Sequence, residues 1–451
     1  MEILLHYIWQ NRLLGMPLML DDGRQVRILR PGRHNEDAGP DFAGAVLQIG
    51  DSKWAGNVEI HMKASDWFRH GHDKDMAYDN IILHAVAVND TKIYRRNGEV
   101  IPQATVNIPA NFYYSFASLN NAIKGIRCAS NIAFIPNIRQ QDWLETLAFE
   151  RLQHKGERII SYHSIRSGDW EQAVFITLAR ALGFGLNGVP FELLAKSLPL
   201  KYIYHHSDSL QQIEALLFGQ AGMLVPGLYP HDAYYQQLVA EYDFLRRKYS
   251  LTPISRELWK YSRTRPANFP HRRIAMLAQY LYSGINLTAS LIDARGIYDK
   301  LERIFRQDLQ QYWANHDAFG APEVRRSYSL SRAAIESLMI NVAAPFYFAY
   351  ARLTGDYPVG EYAIDLLTSI DPERNSIITA WENAGIKADS ALRSQALIHL
   401  RNEYCDRARC LECRFGYHIL RRNAAPPDMH ALSPDASPEP DTDVRTRIPR
   451  C

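Results

Sequence analysis

The residues able to do chemistry concentrate between Gly39 and Val88. Gly39-Pro40-Asp41-Phe42 is followed, eighteen positions after Asp41, by Glu59 in Val58-Glu59-Ile60-His61-Met62-Lys63. The polar loop His70-Gly71-His72-Asp73-Lys74-Asp75 comes next, then the apolar run Ile81 to Val88 with His84 inside it. Two carboxylates on neighbouring strands suit magnesium or manganese, which take one or two carboxylates, waters and substrate phosphate. Such an ion activates water and stabilises charge developing on phosphorus. A basic group beside it, His61 or Lys63, would steer the water or neutralise the phosphate. His70, His72 and Asp75, with His84 on the next strand, form a second donor set with the chemistry of zinc, iron or manganese ligands. That set either lines the same site or belongs to a different metallohydrolase. The competing reading makes Asp41 a turn or cap residue and pairs Glu59 with Lys63 on a solvated sheet face.

Two further groupings carry chemical character. Cys405, Cys410 and Cys413 stand at a C-x4-C-x2-C spacing, and three thiolates need a fourth ligand, for which Cys128 is the first candidate and His418 the second. Zinc or an iron–sulfur cluster would satisfy that set and tie the chain end to the junction near Cys128; three reduced, partly buried thiols are the alternative. The segment from Trp259 to Arg273 mixes arginine with aromatics. Arginine forks bind phosphate and aromatics stack on bases, so Arg263, Arg265 and Arg273 are candidates for holding a nucleic-acid backbone. A proline-bounded loop whose arginines pair with helix ends and acids is the alternative.

These residues must be positioned by local structure. Ile3 to Leu14 has helical apolar spacing. Strands are expected at Gln25–Leu29, Asp41–Ile49, Trp54–Lys63 and Ile81–Val88, with at least one more between Lys92 and Val106 around an Asn97-Gly98 turn. On the third of these, period two puts Glu59, His61 and Lys63 on one face, Lys63 about 7 Å beyond His61. Asp73 to Tyr78 reads as a short helix, and the near-continuous apolar run of Ile81 to Val88 as a strand buried on both faces. From about Gln140 to Arg422 the period changes to 3.6. Helices are expected at Trp143–Ile160, Trp170–Leu182, Pro190–Leu198, Leu210–Leu224, Asp232–Lys248, His271–Tyr282, Tyr298–Gln311, Ser329–Leu353, Val359–Ile370 and Ser390–Glu403. The Glu214-to-Gly222 stretch, with its small residues, reads as a closely packed helix end. The tail, rich in Pro, Asp, Ser and Ala, lacks apolar periodicity and is expected to be disordered.

The bulk numbers constrain the function classes. The chain has 451 residues and a formal net charge of +2, so composition alone implies neither a nucleic-acid nor a membrane partner, although a local basic groove remains compatible with it. No apolar run approaches the roughly 20 residues of a membrane span, and the first residues lack a secretory pattern, which predicts a cytoplasmic protein. Five cysteines in that compartment argue against a disulfide framework.

Pro40-Asp41 followed by Glu59-Ile60-His61 resembles the PD-(D/E)XK nuclease superfamily over about 60 residues. The resemblance implies a restriction-endonuclease-like topology for an N-terminal mixed-sheet domain at 1–128; together with the change of period and the tail's composition, the chain reads as an α+β protein with a large all-helical domain at 129–422 and a tail at 423–451. It implies that Asp41 and Glu59 hold the metal and that the chain cleaves nucleic-acid phosphodiesters. His61 stands where the superfamily has lysine, so Lys63 or a pH-dependent His61 would take that role. A scaffold that keeps the fold without turnover is the alternative. The four cysteines are similar to those of iron–sulfur exonucleases, except that Cys128 follows the nuclease motif here instead of preceding it. From about residue 1 to 422 the chain also resembles a bacterial family known as domain of unknown function 2851. That match rests on Gly39-Pro40-Asp41-Phe42, the Glu59-to-His84 block, the Glu214 helix, the Arg263-to-Arg273 loop and the Cys405-to-Cys413 segment.

Overall fold

The computed structural model describes residues 2–14, 18–35, 37–108, 110–121, 125–165, 168–262, 264, 268–309, 311–320 and 329–422. The tail at 423–451, Arg263 and Arg265 lie outside them. The described residues form two compact units, one within 1–136 together with 404–422, the other within 137–403.

The first unit is built on one sheet. Helix α1 (Glu2–Gln10) precedes strands β1 (Leu18–Met19), β2 (Gln25–Arg30), β3 (Arg33–His34), β4 (Phe42–Ile49) and β5 (Ser52–Lys63). A four-residue helix α2 (Asp66–Arg69) leads to β6 (Ile81–Val88), β7 (Gln103–Thr105) and helix α3 (Ala110–Asn121). The spatial order is β1-β2-β4-β5-β6-β7, with β3 paired to β4. The β2–β4 and β4–β5 pairs are antiparallel, while β5–β6 and β6–β7 are parallel. The first strand also returns to the last: Leu20 bridges Ala104 and Asp21 N–H donates to Gln103 O at 3.3 Å. The sheet is therefore barrel-like, and this closure shields edges that an open sheet would expose. Helix α1 packs on β5 with Leu4, Leu5, Ile8 and Trp9 buried, and Trp9 Nε1 donates to Pro31 O at 2.9 Å.

The expected strands reappear with ends shifted by at most two residues. The short helix expected at Asp73–Tyr78 contracts to a 3₁₀ turn, Met76–Tyr78. The solvated face proposed for Glu59 is absent, because β5 is buried on both faces from Val58 to His61. A curled sheet covered by α1 and α2 leaves that stretch no wet side.

The second unit is helical. It comprises α4 (Asn137–Ile165), α5 (Trp170–Leu182), α6 (Gly188–Ser197), α7 (Leu200–Tyr204), α8 (Leu210–Gln220), α9 (Ala233–Tyr249), α10 (Pro270–Tyr282), α11 (Leu287–Asp293) and α12 (Tyr298–Phe305). It continues with α13 (Arg332–Leu338), α14 (Ala344–Thr354), α15 (Tyr357–Ser369), α16 (Ser376–Asn383) and α17 (Ala391–His399); α18 (Arg414–Arg422) belongs to the first unit. Polar side chains cap several helix starts. Asp169 accepts from Gln172 N–H and Asp232 from Tyr235 N–H, both at 3.0 Å. The helix expected over Ser329–Leu353 is instead interrupted by a π-helical turn, Met339–Ala343. Pro345 has no N–H to give to the carbonyl four residues back, so the α ladder cannot run unbroken there. A second π turn, Leu400–Cys405, ends α17.

The Glu214-to-Gly222 stretch is a packing element. A Cβ on Gly219 would lie 2.1 Å from the Tyr242 ring, so α8 and α9 meet at a glycine. Gly219→Ala is expected to destabilise the protein by about 1–3 kcal/mol, read from urea unfolding. Glu214 itself is buried, accepts from the Tyr234 hydroxyl, and is pushed by burial from 4.5 to about 8. A carboxyl raised in the folded state stabilises it below the unfolded value, and that contribution is lost as pH rises toward the folded one. Unfolding midpoints should therefore fall between about pH 4.5 and about 8, and Glu214→Gln should flatten that fall.

Candidate metal centre

β4 and β5 pair with Phe42 opposite Val58, which sets Asp41 beside Glu59. The two carboxylates are bound crosswise to the backbone. Asp41 N–H donates to Glu59 Oε2 at 3.0 Å, and Ile60 N–H donates to Asp41 Oδ2 at 2.9 Å. Period two carries His61 to the same face as Glu59, and the parallel β5–β6 register sets Glu59 next to His84. His61 Nδ1 then lies 2.9 Å from His84 Nε2.

The loop after β5 adds the remaining donors. Asp66 accepts from Lys63 N–H at 3.2 Å and starts α2, and Gly71, at φ +76°, reverses the chain after it. That backbone conformation suits glycine and strains other residues. His72 Nε2 consequently lies 3.3 Å from Glu59 Oε1, and His61 Nε2 lies 3.5 Å from the same oxygen. His70 Nδ1 is 3.2 Å from His61 Nε2. Tyr78 stacks on His72 with ring centres 3.8 Å apart, and Trp67 packs edge-on against both. Among the described residues, His61, His70 and His72 form the set whose ligand atoms all lie within 4.8 Å of one another.

Two histidines that periodicity did not single out complete the site. His6 of α1 places Nε2 3.2 Å from Asp41 Oδ2, and His34 of β3 places Nε2 3.4 Å from His6 Nδ1. Phe42 packs against both rings. The residue types were visible in the sequence, but their convergence depends on α1 crossing β5, which no local pattern announces.

The electrostatics separate the two carboxylates. Burial raises Glu59 above the ordinary carboxyl range, more than its contact with His72 lowers it. Burial also acts to raise Asp41, but His6 and the Ile60 N–H outweigh it, and Asp41 lies below its ordinary value. His6 is raised in turn, its burial overcome by Asp41. Burial depresses His61 to about 4 and His84 to about 3, so both are neutral near pH 7. In the tautomer with the proton of His61 on Nδ1, given to His84, the Nε2 lone pair points at Glu59 Oε1 and toward His70. A cation satisfies such facing lone pairs, and an imidazole fixed through its second nitrogen is the usual form of a metal ligand. The donor chemistry therefore fits a metal.

Other candidates fall elsewhere. Asp75 is exposed and caps the 3₁₀ turn, accepting from Ala77 N–H at 2.9 Å. Lys63 is exposed near the strand end, where its charge acts on Asp90. Arg273 is buried in the helical unit against Asn268 and Met276, with its guanidinium 4.6 Å from the Phe184 ring centre, so it offers nothing to a phosphate backbone. The expected cysteine ligand set is not assembled: among the described residues no three cysteines bring their ligand atoms within 4.8 Å of one another. Burial, with Cys413, Cys405 and Cys410 adding to it, pushes Cys128 up, and burial pushes Cys410 to about 11. The link from Cys405 to the Cys128 region is made instead by Arg127 Nε, donating to Cys405 O at 3.0 Å. His418 faces a separate hollow beside Phe134 and Arg422.

The fold and this centre define an α+β protein with a barrel-like sheet carrying a carboxylate–histidine site and a separate helical unit. The chain belongs to the family described as protein of unknown function (DUF2851), which matches residues 2–376. No curated protein and no solved structure matches it. No described helix is long and apolar enough to cross a membrane.

Asp41 has a structural load beside any chemistry. Asp41→Ala leaves the Ile60 N–H without its charged acceptor and should cost about 1–3 kcal/mol, whereas Asp41→Asn keeps an acceptor oxygen and should cost less. Urea unfolding of the two variants checks the difference.

Proposed function

We propose that the N-terminal unit is a divalent-metal-dependent hydrolase of phosphodiester bonds, with nucleic acid as its substrate class. The observation that carries the reading is the convergence of His61 and His72 on Glu59 Oε1, with His70 alongside. Imidazole donors suit zinc, manganese or iron better than magnesium. Glu59, His61, His70 and His72 would hold the ion, which when bound supplies a Lewis acid and an acidified water. His84 keeps the His61 proton on Nδ1. Asp41 remains ionised, and its Oδ1 carries no hydrogen bond among the described residues, so it is the group to accept the proton of the attacking water. As the new phosphorus–oxygen bond forms, the bond to the leaving oxygen breaks. His6, raised by Asp41, is the acid that returns a proton to that oxygen. The choice of phosphodiester rests on the resemblance of the Pro40-Asp41 and Glu59-x-His61 order to nucleases.

Metal content by mass spectrometry, with hydrolysis of bis-p-nitrophenyl phosphate and of labelled DNA and RNA, tests the reading. His72→Ala should weaken metal affinity about 10-fold or more. Asp41→Asn should keep the metal and lower turnover about 100-fold or more. A stoichiometric metal without hydrolysis would mean a metal-holding scaffold. Neither metal nor hydrolysis would remove the proposal.

A further inference from the structure

The helical unit contains a cavity of about 690 Å³ whose walls carry an excess of positive charge. Arg151, Lys155 and Arg158 stand on one face of α4, and Arg180 reaches in from α5. Against these four cations the wall sets two carboxylates, Glu373 and Glu403, which leaves a net charge of +2 with histidines neutral.

The cations are poorly matched. Lys155 Nζ donates to Gln395 Oε1 at 2.6 Å and to Asn341 Oδ1 at 2.8 Å, both neutral amides. Arg151 Nε donates to that same Gln395 oxygen, and the Gln395 amide is spent on Glu373. One amide oxygen thus serves two cations. Arg180 is held by Glu192, but the Arg158 guanidinium has no hydrogen-bond or ion-pair partner among the described residues. Burial first, and then the neighbouring charge of Arg151, drive Lys155 well below its ordinary value, with Glu373 acting against them.

Both π-helical turns open onto this space. Asn341 comes from Met339–Ala343, and Asn402 and Glu403 come from Leu400–Cys405. Such insertions concentrate at functional sites. Part of the lining is apolar: Ile159 and Tyr162 follow Arg158 along α4, and Phe184 comes from the end of α5. The volume is that of a small-molecule site and exceeds what a lone phosphate fills.

We propose that this cavity binds a small phosphomonoester, of nucleotide or sugar-phosphate size, with its phosphate against Arg151, Lys155 and Arg158 and its organic part against Tyr162 and Phe184. The site is separate from the metal centre and does not rest on the hydrolase reading.

Calorimetric titration of the full chain with inorganic phosphate, ribose 5-phosphate, a nucleoside 5′-monophosphate, the unphosphorylated nucleoside and a short oligonucleotide tests it. One ester should bind saturably, one per chain, at least about 10-fold more tightly than inorganic phosphate or nucleoside, and which ester does so distinguishes sugar phosphate from nucleotide. Arg158→Ala, at an exposed residue without a partner, and Asn402→Asp, which adds a negative charge to the wall, should each weaken binding by about 10-fold or more while leaving the thermal midpoint of the free protein unchanged. Absence of saturable ester binding would overturn the proposal. So would equal binding of phosphate or nucleoside, binding of the oligonucleotide alone, or indifference to both substitutions.

Discussion

A buried carboxylate governs the architecture of the N-terminal unit. Glu59 sits in the middle of a strand covered on both faces, where an unpartnered charge would be costly. Its partners come from three different segments: the Asp41 N–H before β4, His61 on its own strand, and His72 from the loop after α2. Each contact fixes something larger. The first sets where β4 begins, the second the face of β5 that Glu59 and His61 share, the third the path by which the chain returns to β6. Asp41 reciprocates through the Ile60 N–H, so the two acids lock the strand pair that presents them.

The helical unit follows a different logic. Its core is dominated by large apolar residues such as Phe175, Phe218, Tyr280 and Trp313, and most of its polar side chains cap helices or pair at the surface. The charged cavity along α4 is the departure from that pattern. It occurs where Pro345 forces one helix off the α ladder and where α17 ends in a second π turn. Irregular backbone and unmatched charge coincide there; at the carboxylate–histidine site a register shift likewise interrupts the start of the β4–β5 pair, but the two carboxylates are partnered.

Much of this arrangement was readable from residue order. Alternation put Glu59 and His61 on one face of β5, a continuous apolar run marked β6, and the 3.6-residue period located α5 and α9 to within a residue of their starts. The adjacency of Asp41 and Glu59 followed from pairing two consecutive strands. His6 and His34 were not legible as site residues, because their contribution depends on how α1 crosses the sheet and on a two-residue strand. The helices α3, α7, α11, α16 and α18 also escaped notice, being short or weakly patterned. Arg273 misled because an arginine near aromatics reads the same whether it faces solvent or, as here, lies over Phe184 inside the bundle. The cysteine spacing misled similarly: closeness in sequence did not bring three sulfurs to one point. The cationic cavity was invisible in advance, since Gln395, Asn341 and α4 lie far apart along the chain.

The first unit takes its final part from the far end of the polypeptide. Residues 404–422 belong with the first unit, and α18 packs on α3 with Phe415, Ile419 and Leu420 buried. A ribosome therefore releases the sheet long before it delivers the helix that completes it, and the intervening 267 residues, 137 to 403, have time to collapse first. Until α18 is made, the part of α3 that it covers has no neighbour from that helix.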